Sequence, residues 1–140
     1  MDKSPVFYVG LCLAGAVSAG AYTAGVIDYL LEALDTWESK RGQEGIPTHR
    51  VKIPVIGGAS AGGMTGILTA SAIHSQIPPV SSISANKLLD QIPNNKFYHT
   101  WVDLLAEDMF PLLLDTADIK TKQIYSLLNS TFIDEVAKRV

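Results

Sequence analysis

Val51-Lys52-Ile53-Pro54-Val55-Ile56-Gly57-Gly58-Ala59-Ser60-Ala61-Gly62-Gly63-Met64 is the stretch on which the reading of this chain turns. Val51 to Gly57 is an apolar run with the β-branched residues of a strand. Pro54 has no N–H to give to a ladder, so the paired part is expected to be short. Beyond Ser60, Met64, Ile67 and Leu68 return at helical spacing, and Gly66 weakens that helix without forbidding it. Between strand and helix the serine is hemmed in by Gly57, Gly58, Ala59, Ala61, Gly62 and Gly63. Only small residues fit around a sharp, strained turn, and Gly58-Ala59-Ser60-Ala61-Gly62 carries the Gly-x-Ser-x-Gly pattern of a nucleophile elbow. Such a turn sets the serine at a helix N-terminus, where free N–H groups favour a developing negative charge. The rival reading is a tight turn whose glycines serve helix packing alone. Gly58 to Thr65 also matches the frame of a phosphate-binding loop, but Met64 stands where that loop needs lysine, which disfavours a nucleotide.

One strand and one helix come before this segment. Val6 to Leu13 reads Val-Phe-Tyr-Val-Gly-Leu-Cys-Leu, the continuous apolar run of a strand buried on both faces of a parallel sheet. Ala14 to Gly20 is a loop of small residues. From Ala21 the period changes, with Val26, Ile27, Leu30, Leu31, Leu34 and Trp37 along one helical stripe. Lys40 and Arg41 complement the carbonyl end of that helix and Gly42 stops it. Strand, loop, helix, strand, turn, helix predicts an α/β fold with a parallel sheet flanked by helices. The loop from Leu13 to Gly20 would then open beside Ser60 and present backbone N–H groups to it, which makes it a candidate oxyanion hole.

Composition narrows the function classes. The chain has 140 residues, 47% of them hydrophobic and 18% charged, which suits one globular domain and excludes disorder. The net charge is −3 with no basic stripe, so a nucleic-acid partner has no electrostatic footing. Cys12 is the single cysteine, which rules out an internal disulfide, and a buried inert thiol is expected. No cluster of metal-ligating residues stands out, and no cofactor is expected. Pro5 to Ile27 is free of charge and could pass for a signal peptide or a membrane span. Against both, Gly10, Gly15, Gly20 and Gly25 turn about 140° per step on a helix and share no face. The apolar run also passes directly into the amphipathic helix. The expected location is cytoplasmic, peripheral at a membrane.

The second half says less. Phe97, Trp101, Leu104 and Leu105 suggest a short helix, and Thr131-Phe132-Ile133-Asp134 resembles a capping start for a last one. Trp37, Phe97, Tyr98 and Trp101 are expected to pack in or near the core, with a lipid contact around Phe97 to Phe110 as the alternative. No third strand is evident after Gly57, and the helical pattern runs to Val140 without Gly or Pro, so the fold is expected to be truncated after about residue 140. Asp90 and His99 could complete a triad with Ser60 on paper, but neither sits at an evident strand end. His74 falls in or just past the helix after Ser60, and His49 is expected to be a solvated loop residue.

On the Gly58–Gly62 pentapeptide, the Gly15–Gly20 loop and the continuation Gly20-Ala21-Tyr22-Thr23-Ala24-Gly25-Val26, the chain resembles the patatin-like phospholipase family. The likeness is best from Phe7 to about Leu68. The family's loop is Gly-Gly-Gly-x-Arg/Lys-Gly; here Ala16 and Val17 stand for glycines and Ala19 for the basic residue. The resemblance implies a three-layer α/β domain, of which residues 1–140 would be the N-terminal portion. It implies lipid or phospholipid ester hydrolysis by a Ser–Asp dyad without histidine, with Ser60 as nucleophile. Gly15, Ala16, Val17 and Ala61 would form the oxyanion hole, and Gly58 and Gly62 the elbow. The family's aspartate lies in an Asp-Gly pair, and no aspartate here precedes glycine, so it is expected outside these residues, with the rest of the domain. The implied partner is a lipid or ester substrate at a membrane surface. Two alternatives stand beside this: a non-catalytic binding module, and an exported or membrane-anchored protein with Val6 to Val17 as targeting segment.

Overall fold

The computed structural model describes residues 4–16, 20–75, 77–80, 94–102, 109–120, 126–131, 134 and 137–138. Strand β1 (Val6–Leu13) leads to helix α1 (Gly20–Lys40), strand β2 (Arg50–Gly58) and helix α2 (Ala61–Ala72). Among the described residues, the short helices α3 (Lys96–Trp101) and α4 (Met109–Leu113) follow. Among the described residues β1 and β2 form a parallel two-stranded sheet, and the helices pack beside it.

The crossover is tied down where it returns to the sheet. Gly42 takes φ 77°, which ends α1, and the Gln43 N–H donates to the Lys40 carbonyl at 3.1 Å. Arg41, just past the end of α1, holds Glu38 of that helix and reaches the Ser4 hydroxyl and the Thr48 carbonyl, each at 3.2 Å. Trp37 donates its Nε1–H to the His49 carbonyl at 3.1 Å, and the two rings lie 4.7 Å apart. His49 is therefore half-buried between Trp37 and Phe7 rather than solvated as expected, because the ring stack recruits it. The Arg50 N–H then donates to the Pro5 carbonyl at 2.8 Å, and pairing begins at Val6↔Arg50.

Pro54 does not shorten β2. Tyr8 pairs with Lys52 and Gly10 with Val55, so two steps on β1 oppose three on β2. The extra residue falls at Ile53–Pro54, where a bulge absorbs the missing N–H. Pairing resumes and ends at Leu13↔Gly58.

The core holds Ile27, Leu68, Phe97 and Trp101 as expected but differs at Val26, Met64 and Ile67. Its buried members are Ala24 and Ile27 of α1, Ala61, Leu68 and Ala72 of α2, and Phe97 and Trp101 of α3. On α2 the buried face is Ala61, Gly62, Thr65, Gly66, Leu68, Thr69 and Ala72, whereas Met64 and Ile67 point to solvent. Size decides this face: a Cβ on Gly66 would lie 3.2 Å from the Ile56 side chain, so α2 rides too close to β2 for large residues. Val26 is likewise exposed, because α1 buries Gly20, Ala24 and Ile27 instead. Phe7 and Tyr8 are 60% and 64% exposed and Cys12 is exposed, so β1 is not covered on both faces by the described residues, and its thiol is not buried.

Asn95 anchors α3. It is fully buried, its Oδ1 accepts the Tyr98 N–H at 3.0 Å, and its Nδ2 donates to Asp28 Oδ1 at 2.6 Å and the Pro78 carbonyl at 3.2 Å. Asp28 Oδ2 also accepts the Val80 N–H at 2.9 Å. A buried amide with each end bonded contributes specificity, since removing it strands its partners.

Candidate active site

Because β1 and β2 are parallel and end together at Leu13↔Gly58, the segments leaving them emerge side by side. Two residues beyond that pair lie Gly15, after β1, and Ser60, after β2. A Cβ added to Gly15 would be 3.1 Å from the Ala59 carbonyl oxygen and 3.3 Å from the Ser60 Cβ. The strand register thus brings the small-residue loop against the serine.

Ser60 adopts φ 52° and ψ −124°, and among the described residues no other non-glycine residue has positive φ. This is the first corner of a type II′ turn, a position that suits glycine. The turn is closed by the Gly62 N–H donating to the Ala59 carbonyl at 2.9 Å. The first helical bond, Met64 N–H to the Ser60 carbonyl at 3.1 Å, follows at once. Ser60 does not cap α2 with its side chain. It is exposed, and its hydroxyl has no protein partner among the described residues. Ala61 is the first residue of α2, so its N–H has no intrahelical acceptor, and it has no backbone partner among the described residues.

Close backbone approaches hold this corner. A Cβ on Gly62 would lie 2.6 Å from the Leu13 carbonyl carbon and 2.7 Å from the Ala14 oxygen. One on Gly58 would lie 2.9 Å from the Gly63 nitrogen and would overlap the Gly62 carbonyl. The Ala59 N–H donates to the Leu13 carbonyl at 3.3 Å, which continues the sheet into the turn. Gly58 and Gly62 therefore act through their size, letting β1, β2 and α2 meet at backbone distance.

Ala16 follows Gly15 on the described side of the loop, and Val17 lies outside the described residues. Asp90 also lies outside them, so the Asp90–His99 triad has no described geometry. His74 sits past the far end of α2, about 20 Å from Ser60 at 1.5 Å per residue, too far for a base. Thr65 is fully buried, so its hydroxyl is not offered to a metal as a phosphate-binding loop would require. Among the described residues no group of three His, Cys, Asp or Glu is placed to hold a metal ion. None of their helices is long and apolar enough to cross a membrane, and Val6–Leu13 is a paired strand.

A groove of about 710 Å³ runs along the open edge of β2 and α2, reaching Gly58 and Gly63 but not Ser60. Another, of about 820 Å³, lies between α1, the first half of β2 and the end of α2, and does not reach Ser60.

With this geometry in place, comparison with known proteins gives a family. The model of the patatin-like phospholipase family matches residues 11–140. This chain belongs to the patatin-like phospholipase family. The match runs well beyond the Phe7–Leu68 region where the motifs are legible, into α3 and α4. The patatin-like chain is also similar to a protein of Sinorhizobium fredii (strain NBRC 101917 / NGR234) described as "Uncharacterized protein y4iI", 31% identical over 142 residues. That alignment covers 96% of this chain and 20% of the relative, so the chain spans about a fifth of the length of the protein it matches. No solved structure gives a significant match.

Proposed function

We propose that this patatin-like chain carries the nucleophile of a serine acyl hydrolase acting on lipid esters, and that residues 1–140 are the N-terminal portion of one hydrolase domain. The observation that carries the reading is Ser60 itself: a serine held at φ 52°, exposed, without a partner for its hydroxyl among the described residues, and set against Gly15. Backbone in such a conformation persists only where surrounding structure forces it, and it gathers at reactive sites. Nothing in packing α2 on the sheet requires a serine there, since glycine would suit the corner better.

In the mechanism, Ser60 Oγ attacks the ester carbonyl carbon while its proton passes to an aspartate carboxylate beyond residue 140. A new C–O bond forms and the carbonyl π pair becomes the oxyanion. The N–H groups of Gly15, Ala16, Val17 and Ala61 receive that charge, each donor being worth roughly 10²–10³ in rate. Collapse expels the alcohol, which takes the proton from the aspartate. Water then cleaves the acyl-enzyme by the same steps with the roles reversed. Family membership supports a lipid as substrate, presented at a membrane surface.

A second reading has its own observation. Ala16, Val17 and Ala19 replace two glycines and a basic residue of the family loop, as a non-catalytic binding relative would tolerate. A fluorophosphonate probe on the full-length protein separates the two. Labelling lost in Ser60→Ala is expected, and a folded wild type that takes no label rejects the hydrolase.

A further inference from the structure

The edge of β2 that faces away from β1 has no neighbouring strand among the described residues. Such an edge offers a row of backbone N–H and C=O groups, and native proteins guard it with charge, proline or a bulge. On β2 the guards stand in the first half, at Lys52 and at the Ile53–Pro54 bulge. Val55-Ile56-Gly57-Gly58 carries none. Val55 is 60% exposed, and a Cβ on Gly57 would meet nothing within 4 Å.

Helix α2 lays a second apolar stripe along the same edge. Gly63, Gly66, Ile67, Ala70 and Ile73 recur at helical spacing and line the groove of about 710 Å³ together with residues 53–58. Ile67 is 73% exposed. His74, at the far end, is the one ionisable side chain among the described residues of the lining. The groove thus has a polar backbone on one wall and uncharged apolar side chains on the other. A strand answers both at once, because its ladder takes up the N–H and C=O groups while alternate side chains fall on the stripe. A lipid tail would cover Ile67 but leave those backbone groups dry and unpaired.

The best-placed source of such a strand is the polypeptide itself. The Sinorhizobium fredii relative is aligned with this chain over 20% of its own length. With residues 1–140 as the N-terminal portion of one domain, the chain that follows is tethered to this edge at an effective concentration on the order of mM. A second copy has to compete from free solution. The position also suits the chemistry proposed for Ser60. The groove ends at Gly58 and Gly63, on the side of β2 away from Gly15, so chain leaving a docked strand there has an approach to the serine that Gly15 does not fill.

We propose that the Val55–Gly58 half of this edge, with the stripe through Ile67, is the docking site for a strand of the same polypeptide from beyond residue 140. This rests on the reading of residues 1–140 as the N-terminal portion of one hydrolase domain.

The test uses the full-length protein. In Ile67→Cys, maleimide labelling located by peptide mapping should run at least roughly 100-fold slower in buffer than in urea. Amide exchange should be slow at all four residues 55–58, the N–H groups facing away from β1 included. A diazirine side chain encoded at Ile67 should cross-link on illumination to one segment after residue 140, with no light–heavy pairs when two isotopic forms are mixed. A thiol at 67 that reacts within about fivefold of its unfolded rate overturns the proposal. So does a cross-link confined to residues 1–140 or joining two chains, and so does a protected thiol beside freely exchanging amides, which means that something other than a strand covers the stripe. Should Ile67→Cys fail to fold, Val55→Cys is read by the same criteria. Limited proteolysis keeps the two readings apart. Release of a folded fragment ending near residue 140 fails the one-domain reading and this proposal together; a resistant full-length chain with an open thiol at 67 fails this proposal alone.

Discussion

Gly15 and Ser60 face each other across the ends of two parallel strands, with a Cβ on the glycine 3.3 Å from that of the serine. The spacing is tight but not closed. Gly15→Ala demands a shift of a few tenths of an ångström from the loop or the turn. We expect unfolding free energy to change by less than about 1 kcal/mol, while kcat/KM falls roughly tenfold as the donors move. Ester kinetics and a thermal melt of the full-length variant measure both.

Ser60 bears a backbone conformation that glycine would adopt without strain. Ser60→Gly should raise stability by about 1–3 kcal/mol and abolish labelling by fluorophosphonate. Denaturation of the variant beside wild type checks the sign. A destabilised Ser60→Gly would mean that the turn is not strained in the folded protein.

Gly62→Ala drives a methyl into backbone, at the Leu13 carbonyl and the Ala14 oxygen. No side-chain motion relieves that overlap, so the cost should reach about 3 kcal/mol or more, the upper end of overpacking. Soluble yield and the urea midpoint should both drop. Gly25→Ala is the contrast: nothing lies within 4 Å of its would-be Cβ. That change should stabilise α1 by about 0.5–1 kcal/mol and leave labelling as it was.

Asn95→Ala should cost about 2–3 kcal/mol, by loss of the α3 cap and by stranding one oxygen of Asp28. Urea titration of the full-length variant is the measurement. A loss below about 0.5 kcal/mol would show the Asp28–Asn95 link to be incidental.

Much of the fold was legible in the sequence because its signals are local. The change from a continuous apolar run at Val6–Leu13 to helical spacing after Ala21 marks one strand and one helix. The cluster of small residues around Ser60 marks the turn, and the family match covers the region from residue 11 onward. What escaped was set by proximity in space. Hydrophobicity pointed to Met64 and Ile67 as the inner face of α2, yet backbone closeness selects Gly62, Thr65 and Gly66. Pro54 pointed to a short paired segment because a bulge depends on what the partner strand allows. The contact of Trp101 with Gly20 joins residues 81 positions apart, and α4, with Pro111 inside five residues, carries no helical signal.

The strained corner also has a consequence for folding order. Ser60 keeps its left-handed backbone only while Gly62 rests on Leu13, and that contact requires the long α1 crossover to have closed first. A chain caught partly folded, with β1 free of β2, relaxes Ser60 to an ordinary turn and separates it from Gly15. On the proposed reading of Ser60 as a nucleophile, the reactive arrangement would therefore be a product of completed assembly and absent from an unfinished chain.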